Sequence, residues 1–229
     1  MKEKKTWSKQ ILSRTISLAT ACCLLTGAAG AVTFTDVPSN HWAKSYIEAA
    51  ADKGYVSGVG SGKFNPEASV SGVEFVSMSM RAFYPEDLEG RDVQKVWYDP
   101  YLYAALDADI LPYTSIGFTP YEWSTVGTQP LNRYEVAMLA FNGLRNRGVL
   151  SGLDKDTCVS KAQAHFTDWD SVPDYLYEGL TDYYRYGIAF CYATGVLSDT
   201  GNGAFEGAKT VSRAQACSIL IRMDEAING

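Results

Sequence analysis

Arg133 and Arg213 are the residues of this chain whose type and placement most invite chemistry. Each directly follows a helix-capping residue, in Asn132-Arg133-Tyr134-Glu135 and Ser212-Arg213-Ala214-Gln215, while Ser71-Gly72-Val73-Glu74 repeats the pattern without the arginine. All three tetrapeptides read as capping boxes. The side chain of Ser71, Asn132 or Ser212 accepts from the backbone N–H three residues on, and Glu74, Glu135 or Gln215 reaches back to the N–H of the cap. Capping gives those six residues a structural role but does not explain the arginines. A cation at the first helical position opposes the helix dipole, which is mildly unfavourable unless an anion also binds. A forked guanidinium beside a helix N-terminus therefore reads as a carboxylate receptor. Replacing both arginines is expected to weaken binding and leave the fold intact, because the caps are untouched. Trp42 and Trp97, with Tyr183 at the matching place further on, are large aromatics at helix starts. They either anchor packing, the simpler reading, or offer faces to sugar C–H groups.

Other chemistry is sparse. Gly58-Val59-Gly60-Ser61-Gly62 follows a helical pattern rather than a strand, so it reads as a turn and not as a phosphate loop. Asp199-Thr200-Gly201-Asn202-Gly203 falls short of the acidic count of a calcium loop. His41 and His165 are the only histidines and do not correspond between repeats, which leaves little for a histidine triad or a metal centre. No enzyme, metal site or cofactor is expected.

The elements that position these residues come from internal repetition. Gly54-Tyr55-Val56-Ser57, Phe64 and Ser71 are matched by Gly195-Val196-Leu197-Ser198, Phe205 and Ser212 at a constant offset of 141. A middle copy aligns Trp97 and Tyr101-Leu102-Tyr103-Ala104-Ala105 with Trp42 and Tyr46-Ile47-Glu48-Ala49-Ala50 at an offset of 55. Its Phe118-Thr119-Pro120 answers Phe64-Asn65-Pro66. Each copy reads as helix, loop, helix. Trp42, Tyr46, Ile47 and Ala50 recur at helical spacing before Gly54, and Val73, Val76, Met80 and Phe83 form an apolar stripe on the second helix. The later copies repeat the stripe around Val136, Leu139, Ala140 and Leu144, and around Ala214, Cys217, Leu220 and Ile221. One hairpin cannot bury such a stripe, but three packed together can. The fold class is thus all-α, three helix-loop-helix repeats in one bundle, with the second helices near the centre. Insertions of about seven residues after Pro120 and about nine after Asp168 are expected as surface loops.

The first 31 residues carry Lys2, Lys4, Lys5, Lys9 and Arg14 ahead of an uncharged apolar run that closes on Ala29-Gly30-Ala31. That is the layout of a cleaved export signal, diluted by small residues relative to a membrane span. The whole chain has a net charge of −6, and without this basic segment it is near −10. An acidic chain with no basic run is no nucleic-acid binder. Of the remaining cysteines, Cys191 and Cys217 fall in apolar helical patterns and read as buried thiols rather than a disulfide, while Cys158 falls in a polar loop.

Phe34-Thr35-Asp36-Val37-Pro38, His41-Trp42-Ala43, Gly54-Tyr55-Val56-Ser57-Gly58, Phe64-Asn65-Pro66 and the capping tetrapeptide together resemble an S-layer homology repeat. The third copy keeps Phe166-Thr167-Asp168, Gly195, Phe205 and Ser212-Arg213-Ala214, and the middle copy keeps Trp97, Phe118, Pro120 and Asn132-Arg133. Behind the export signal (1–31), the resemblance implies repeats at 32–90, 91–150 and 151–229. It also implies a pseudo-threefold bundle at the cell surface, with grooves between repeats that bind secondary cell-wall polysaccharide, often pyruvylated. Arg133 and Arg213 match the family's ligand-binding arginine. Gly72 departs from it, so one groove is expected to be weakened, and Gly72→Arg to strengthen binding if the rest of that groove is intact. Gly207, in place of a proline, marks drift in the last loop. Two other readings stay open: a structural surface protein whose repeats contact other surface-layer proteins, and an envelope hydrolase with paired carboxylates.

Overall fold

The structure, a computed structural model, describes residues 32–111, 127–173 and 183–229. The basic and apolar segment 1–31, and Phe118, Thr119 and Pro120 of the middle loop, lie outside the described residues. Among the described residues seven α-helices form: α1 (Lys44–Asp52), α2 (Gly72–Phe83), α3 (Asp99–Asp107), α4 (Arg133–Asn146), α5 (Lys155–His165), α6 (Tyr183–Ala193) and α7 (Arg213–Asn228). Among the described residues the only extended pairings are isolated bridges, so the fold is all-α.

Three helix-loop-helix units are present, α1 with α2, α3 with α4 and α6 with α7. The first helix of each packs on the second helix of the unit before it: α3 on α2, α6 on α4 (and as extensively on α5), and α1 on α7, which closes a ring. This exchange is how three amphipathic hairpins bury stripes that none could bury alone. Helix α7 touches both α2 and α4. Ile47, Leu102 and Ile188, equivalent positions on the three first helices, are almost wholly buried. Each such side chain contributes about 1.5–3 kcal/mol by burial. The first helices stop alike, at left-handed Gly54 (φ 76°), Asp109 (φ 51°) and Gly195 (φ 74°).

The ring is also closed by backbone. The Val70 N–H donates to the Val211 carbonyl (2.9 Å), Val211 to Leu131 (2.9 Å) and Leu131 to Val70 (2.9 Å), one residue from each unit. Just beyond this triangle all three capping boxes are formed, with Ser71, Asn132 and Ser212 as N-caps.

The segment ahead of Phe166-Thr167-Asp168 is not wholly loop. Asp154 caps α5 by accepting from the Thr157 N–H at 2.8 Å. Cys158, expected in a loop, is buried on this helix with Ala162, and the helix packs on α6. Cys158, Cys191 and Cys217 are all free thiols. Burial pushes Cys191 far above the ordinary thiol range and Cys217 up to about 12. No helix among the described residues is long and apolar enough to cross a membrane.

Candidate functional site

The arginines sit at the seams between repeats. Arg213, from the third repeat, reaches into the loop of the first: its Nε donates to the Phe64 carbonyl (3.0 Å) and Nη2 to that of Ser57 (2.9 Å). Its guanidinium lies 4.6 Å from the Phe64 ring centroid. Arg133, from the second repeat, does the same in the third, donating to Phe205 (2.7 Å) and Ser198 (2.7 Å) and lying 4.7 Å from the Phe205 ring. Both arginines are only 7% exposed. Burial lowers the pKa of Arg133, against the opposing pull of Glu206, Asp168 and Asp199.

This geometry corrects two expectations. The helix N-termini are not open anion sites. Their first amides are taken by carbonyls of the adjoining loop: Arg213 by Ala68, Ala214 by Pro66, Arg133 by Lys209, Tyr134 by Gly207, Gly72 by Gln129 and Val73 by Gly127. The third amide of each helix goes to the cap. The arginines in turn are ties between repeats as well as groove cations, so their loss is expected to cost stability rather than leave the fold untouched.

The loops they clasp are held from the other side by Asp36 and Asp168. Asp36 accepts from the Phe64 and Asn65 amides (2.8 Å each), and Asp168 from Phe205 (2.7 Å) and Glu206 (2.8 Å). The Phe64 amide bond leads the effects that hold the Asp36 carboxyl below the usual range. Gly58–Gly62 is a tight turn closed by Val59 N–H to Lys63 O (2.8 Å). Gly207 has a physical reason for its identity: a Cβ there would lie 2.0 Å from the Tyr134 ring. Where the third repeat has small Ala214 facing Pro66, the second has Tyr134 facing Gly207.

Two grooves open at these seams. One, of about 230 Å³, is walled by the Ser57–Val59 loop, by Glu74, Ser77, Met78 and Arg81 of α2, by Arg213 and by Trp97. The other, of about 190 Å³, is walled by the Leu197–Thr200 loop, by Gln215, Ser218, Ile219 and Arg222 of α7, by Arg133 and by Trp42. The second helices correspond residue for residue at the offset of 141. Each groove draws on all three repeats. The loop and second helix come from one, the buried arginine from the one before, and the tryptophan from the one after.

Trp42 and Trp97 are 57% and 50% exposed, so they are not core anchors, contrary to the simpler expectation. Tyr183 differs: its hydroxyl donates to Asn142 Oδ1 at 2.6 Å and its ring meets Phe141 edge-on at 5.8 Å. Sequence reasoning missed the second cation of each groove. The Arg81 guanidinium lies 4.8 Å from the Tyr101 ring and that of Arg222 5.6 Å from Tyr46. Their recurrence at the repeat offset was the available signal.

At the third seam the described residues carry a different set. Gly72 replaces the buried arginine, Met138 the serine, buried Asn142 the second arginine and Gly187 the stacking tyrosine. A Cβ on Gly187 would come within 2.9 Å of Met138 Sδ, so that side chain occupies the space the tyrosine holds elsewhere. Asn142 is tied to the Ile110 carbonyl (3.0 Å) as well as to Tyr183.

The described residues thus form a ring of helical hairpins with polar grooves at two of its seams. The model of the S-layer homology domain matches two stretches of the chain, residues 33–76 and 178–217. The chain is 30% identical over 118 residues to the S-layer protein sap of Bacillus anthracis, covering 49% of this chain and 14% of that one. A Bacillus thuringiensis subsp. finitimus S-layer protein is 29% identical over 118 residues, with the same coverage. A cell surface protein of Thermoanaerobacter kivui is 36% identical over 77 residues, 34% of this chain and 9% of that one. The chain thus spans a small fraction of the length of these relatives. The middle unit, which the family model does not match, takes the same place in the ring as the other two.

Proposed function

We propose that this cell-surface protein attaches non-covalently to cell-wall polysaccharide through the Arg213 and Arg133 grooves, and that binding rather than catalysis is its activity. The observation that carries this reading is the duplication of one inventory at two seams: a buried guanidinium, a second guanidinium over a tyrosine, a serine and an exposed tryptophan. An exposed indole suits the C–H face of a sugar ring, and paired guanidiniums suit an anionic substituent such as a pyruvate ketal. The names of the relatives, S-layer and cell surface proteins, agree with a site of action at the wall. Residues 1–31 fit this reading as an export signal, with the mature chain beginning at Val32.

The test is co-sedimentation of the protein with washed sacculi, before and after chemical removal of the attached polysaccharide. Pelleting with the intact sacculi and loss of pelleting with the stripped ones is expected. Equal pelleting with both would overturn the reading in favour of peptidoglycan or protein contacts.

A further inference from the structure

Another cavity, of about 430 Å³, shares no wall residue with either seam groove. It is lined by Gly90, Arg91, Asp92 and Gln94, ahead of α3, and by Pro100 and Tyr103 on that helix. Its size falls within the range of about 300–1,000 Å³ usual for small-molecule sites. The residues that make it belong to the middle repeat alone. At the offset of 55, Pro100 and Tyr103 answer to Ser45 and Glu48 of the first repeat, where Glu48 is ion-paired with Lys44 of its own helix. Counted from Tyr183, the third repeat has Ala189 at the place of Tyr103, and that residue is wholly buried. The middle repeat is also the one that the S-layer homology model does not match.

The walls are held from both ends. Gly90 turns the chain in the left-handed region (φ 72°). Arg91 is then clamped, its Nε donating to the Asp87 carbonyl and its Nη2 to the Asp107 carboxylate, each at 2.6 Å. Further on, the nearly buried Asp99 accepts from the Lys95 (2.6 Å) and Val96 (3.0 Å) amides and so fixes the segment to the start of α3. Between these ties Asp92 and Gln94 stay exposed. Tyr103 is 45% exposed although Leu102, Ala104 and Ala105 beside it are buried, so its ring faces the cavity rather than the core.

The geometry points to a sugar-binding site here, separate from the seam grooves, that takes a neutral, hydroxyl-rich residue of the wall polysaccharide. The Tyr103 and Pro100 rings offer an apolar platform for the C–H face of a pyranose. Arg91 donates, Asp92 accepts and Gln94 does both, which matches hydroxyls, themselves donors and acceptors. The charge of Arg91 is balanced by Asp107 and Asp92 adds a carboxylate, so the cavity disfavours an anion. Trp97, in the wall of the Arg213 groove, precedes Tyr103 by six residues, about 9 Å along the helix direction. One polysaccharide chain can therefore engage both, and the second contact adds to the first through effective concentration. The natural ligand in this inference rests on the wall-attachment reading; the site itself does not.

Two measurements on the full mature chain test it. In the first, chitotetraose, a neutral N-acetylglucosamine tetramer, is titrated while the backbone amides of Gly90, Asp92 and Gln94 are followed by NMR. Saturable shifts are expected in the wild type and in Trp97→Ala, and their loss in Tyr103→Ala. The acidic tetragalacturonate should shift the same amides less. Amides that stay silent, shifts that survive Tyr103→Ala, or an equal or stronger response to tetragalacturonate would each overturn the inference. In the second, Tyr103→Ala should weaken pelleting with intact sacculi by about 2- to 12-fold with its thermal unfolding unchanged. Wild-type pelleting of this variant would overturn the role in wall binding. If the wild type itself pelleted equally with intact and stripped sacculi, the attachment reading would fall, and the chitotetraose titration would still decide the site.

Discussion

Replacing Arg213 by alanine should cost the protein a large part of its stability, although the residue lies at a groove and heads an otherwise well-capped helix. The substitution leaves the Phe64 and Ser57 carbonyls without their charged donor. It also removes the stacking of the guanidinium on the Phe64 ring. Hydrogen bonds to charged groups contribute about 1.5–3 kcal/mol each and a partly buried cation–π contact about 0.5–1 kcal/mol. Rehydration of the Ser57 carbonyl, nearer the surface, offsets some of this, so about 3–5 kcal/mol is expected. Set against a typical total of about 5–15 kcal/mol, that is enough to lower the melting temperature by about 10 °C in a chain of this size. Arg213→Lys should fall between, because an ammonium lacks the fork that reaches both carbonyls. Thermal unfolding followed at 222 nm measures the effect. A melting temperature for Arg213→Ala within about 2 °C of wild type would refute the view that this arginine ties the third repeat to the first. The same dependence means that loss of wall binding in this variant must be judged on its folded fraction.

Four further outcomes are expected. Trp42→Ala and Trp97→Ala, at exposed positions, should shift unfolding by less than about 0.5 kcal/mol yet weaken sacculus binding about 2- to 12-fold each, read from sedimentation isotherms. Gly207→Ala should destabilise by about 1–3 kcal/mol through its clash with Tyr134, and adding Tyr134→Ala should recover most of the loss; a double-mutant cycle with no coupling would count against the contact. Gly72→Arg should give no gain in sacculus affinity, because Met138, Asn142 and Gly187 no longer supply the rest of a groove. Iodoacetamide at pH 8 should leave Cys191 and Cys217 unmodified in the native protein, since burial raises both thiols, and label them after denaturation; rapid native labelling seen by mass spectrometry would contradict the packing.

The capping boxes and apolar stripes were legible in the sequence because both are local: a cap and its N3 partner are three residues apart, and a stripe repeats every turn. The partners of Arg133 and Arg213 were not, since they lie in a different repeat, and only ring closure brings Phe64 to Arg213 across 149 residues. Reading the helix N-termini beside those arginines as open anion sites failed for the same reason, because the carbonyls that take the helix amides also come from elsewhere in the ring. The exposure of Trp42 and Trp97 could not be read from residue type, which favours burial of large aromatics. Helix α5 was readable in part: Asp154 is a good N-cap, and Cys158, Ala162 and Phe166 follow at four-residue spacing. Its surface is otherwise so polar that it passed for a loop. Arg81 and Arg222 were visible as a repeated pair, but their meaning depends on tyrosines supplied by the next repeat.

The triangle of bonds among Val70, Leu131 and Val211 also bears on how the molecule comes apart. In an open stack of repeats the terminal units have one neighbour each and fray first, so stability is a sum over separable interfaces. Here the third unit returns to the first, every unit has two neighbours, and none is terminal. Excising any one would open two seams, unbond two corners of the triangle and strip an arginine, a tryptophan or a loop from grooves it does not itself contain. Cooperativity therefore belongs to the ring rather than to any hairpin, and a nick or deletion in one repeat should be felt equally in the other two.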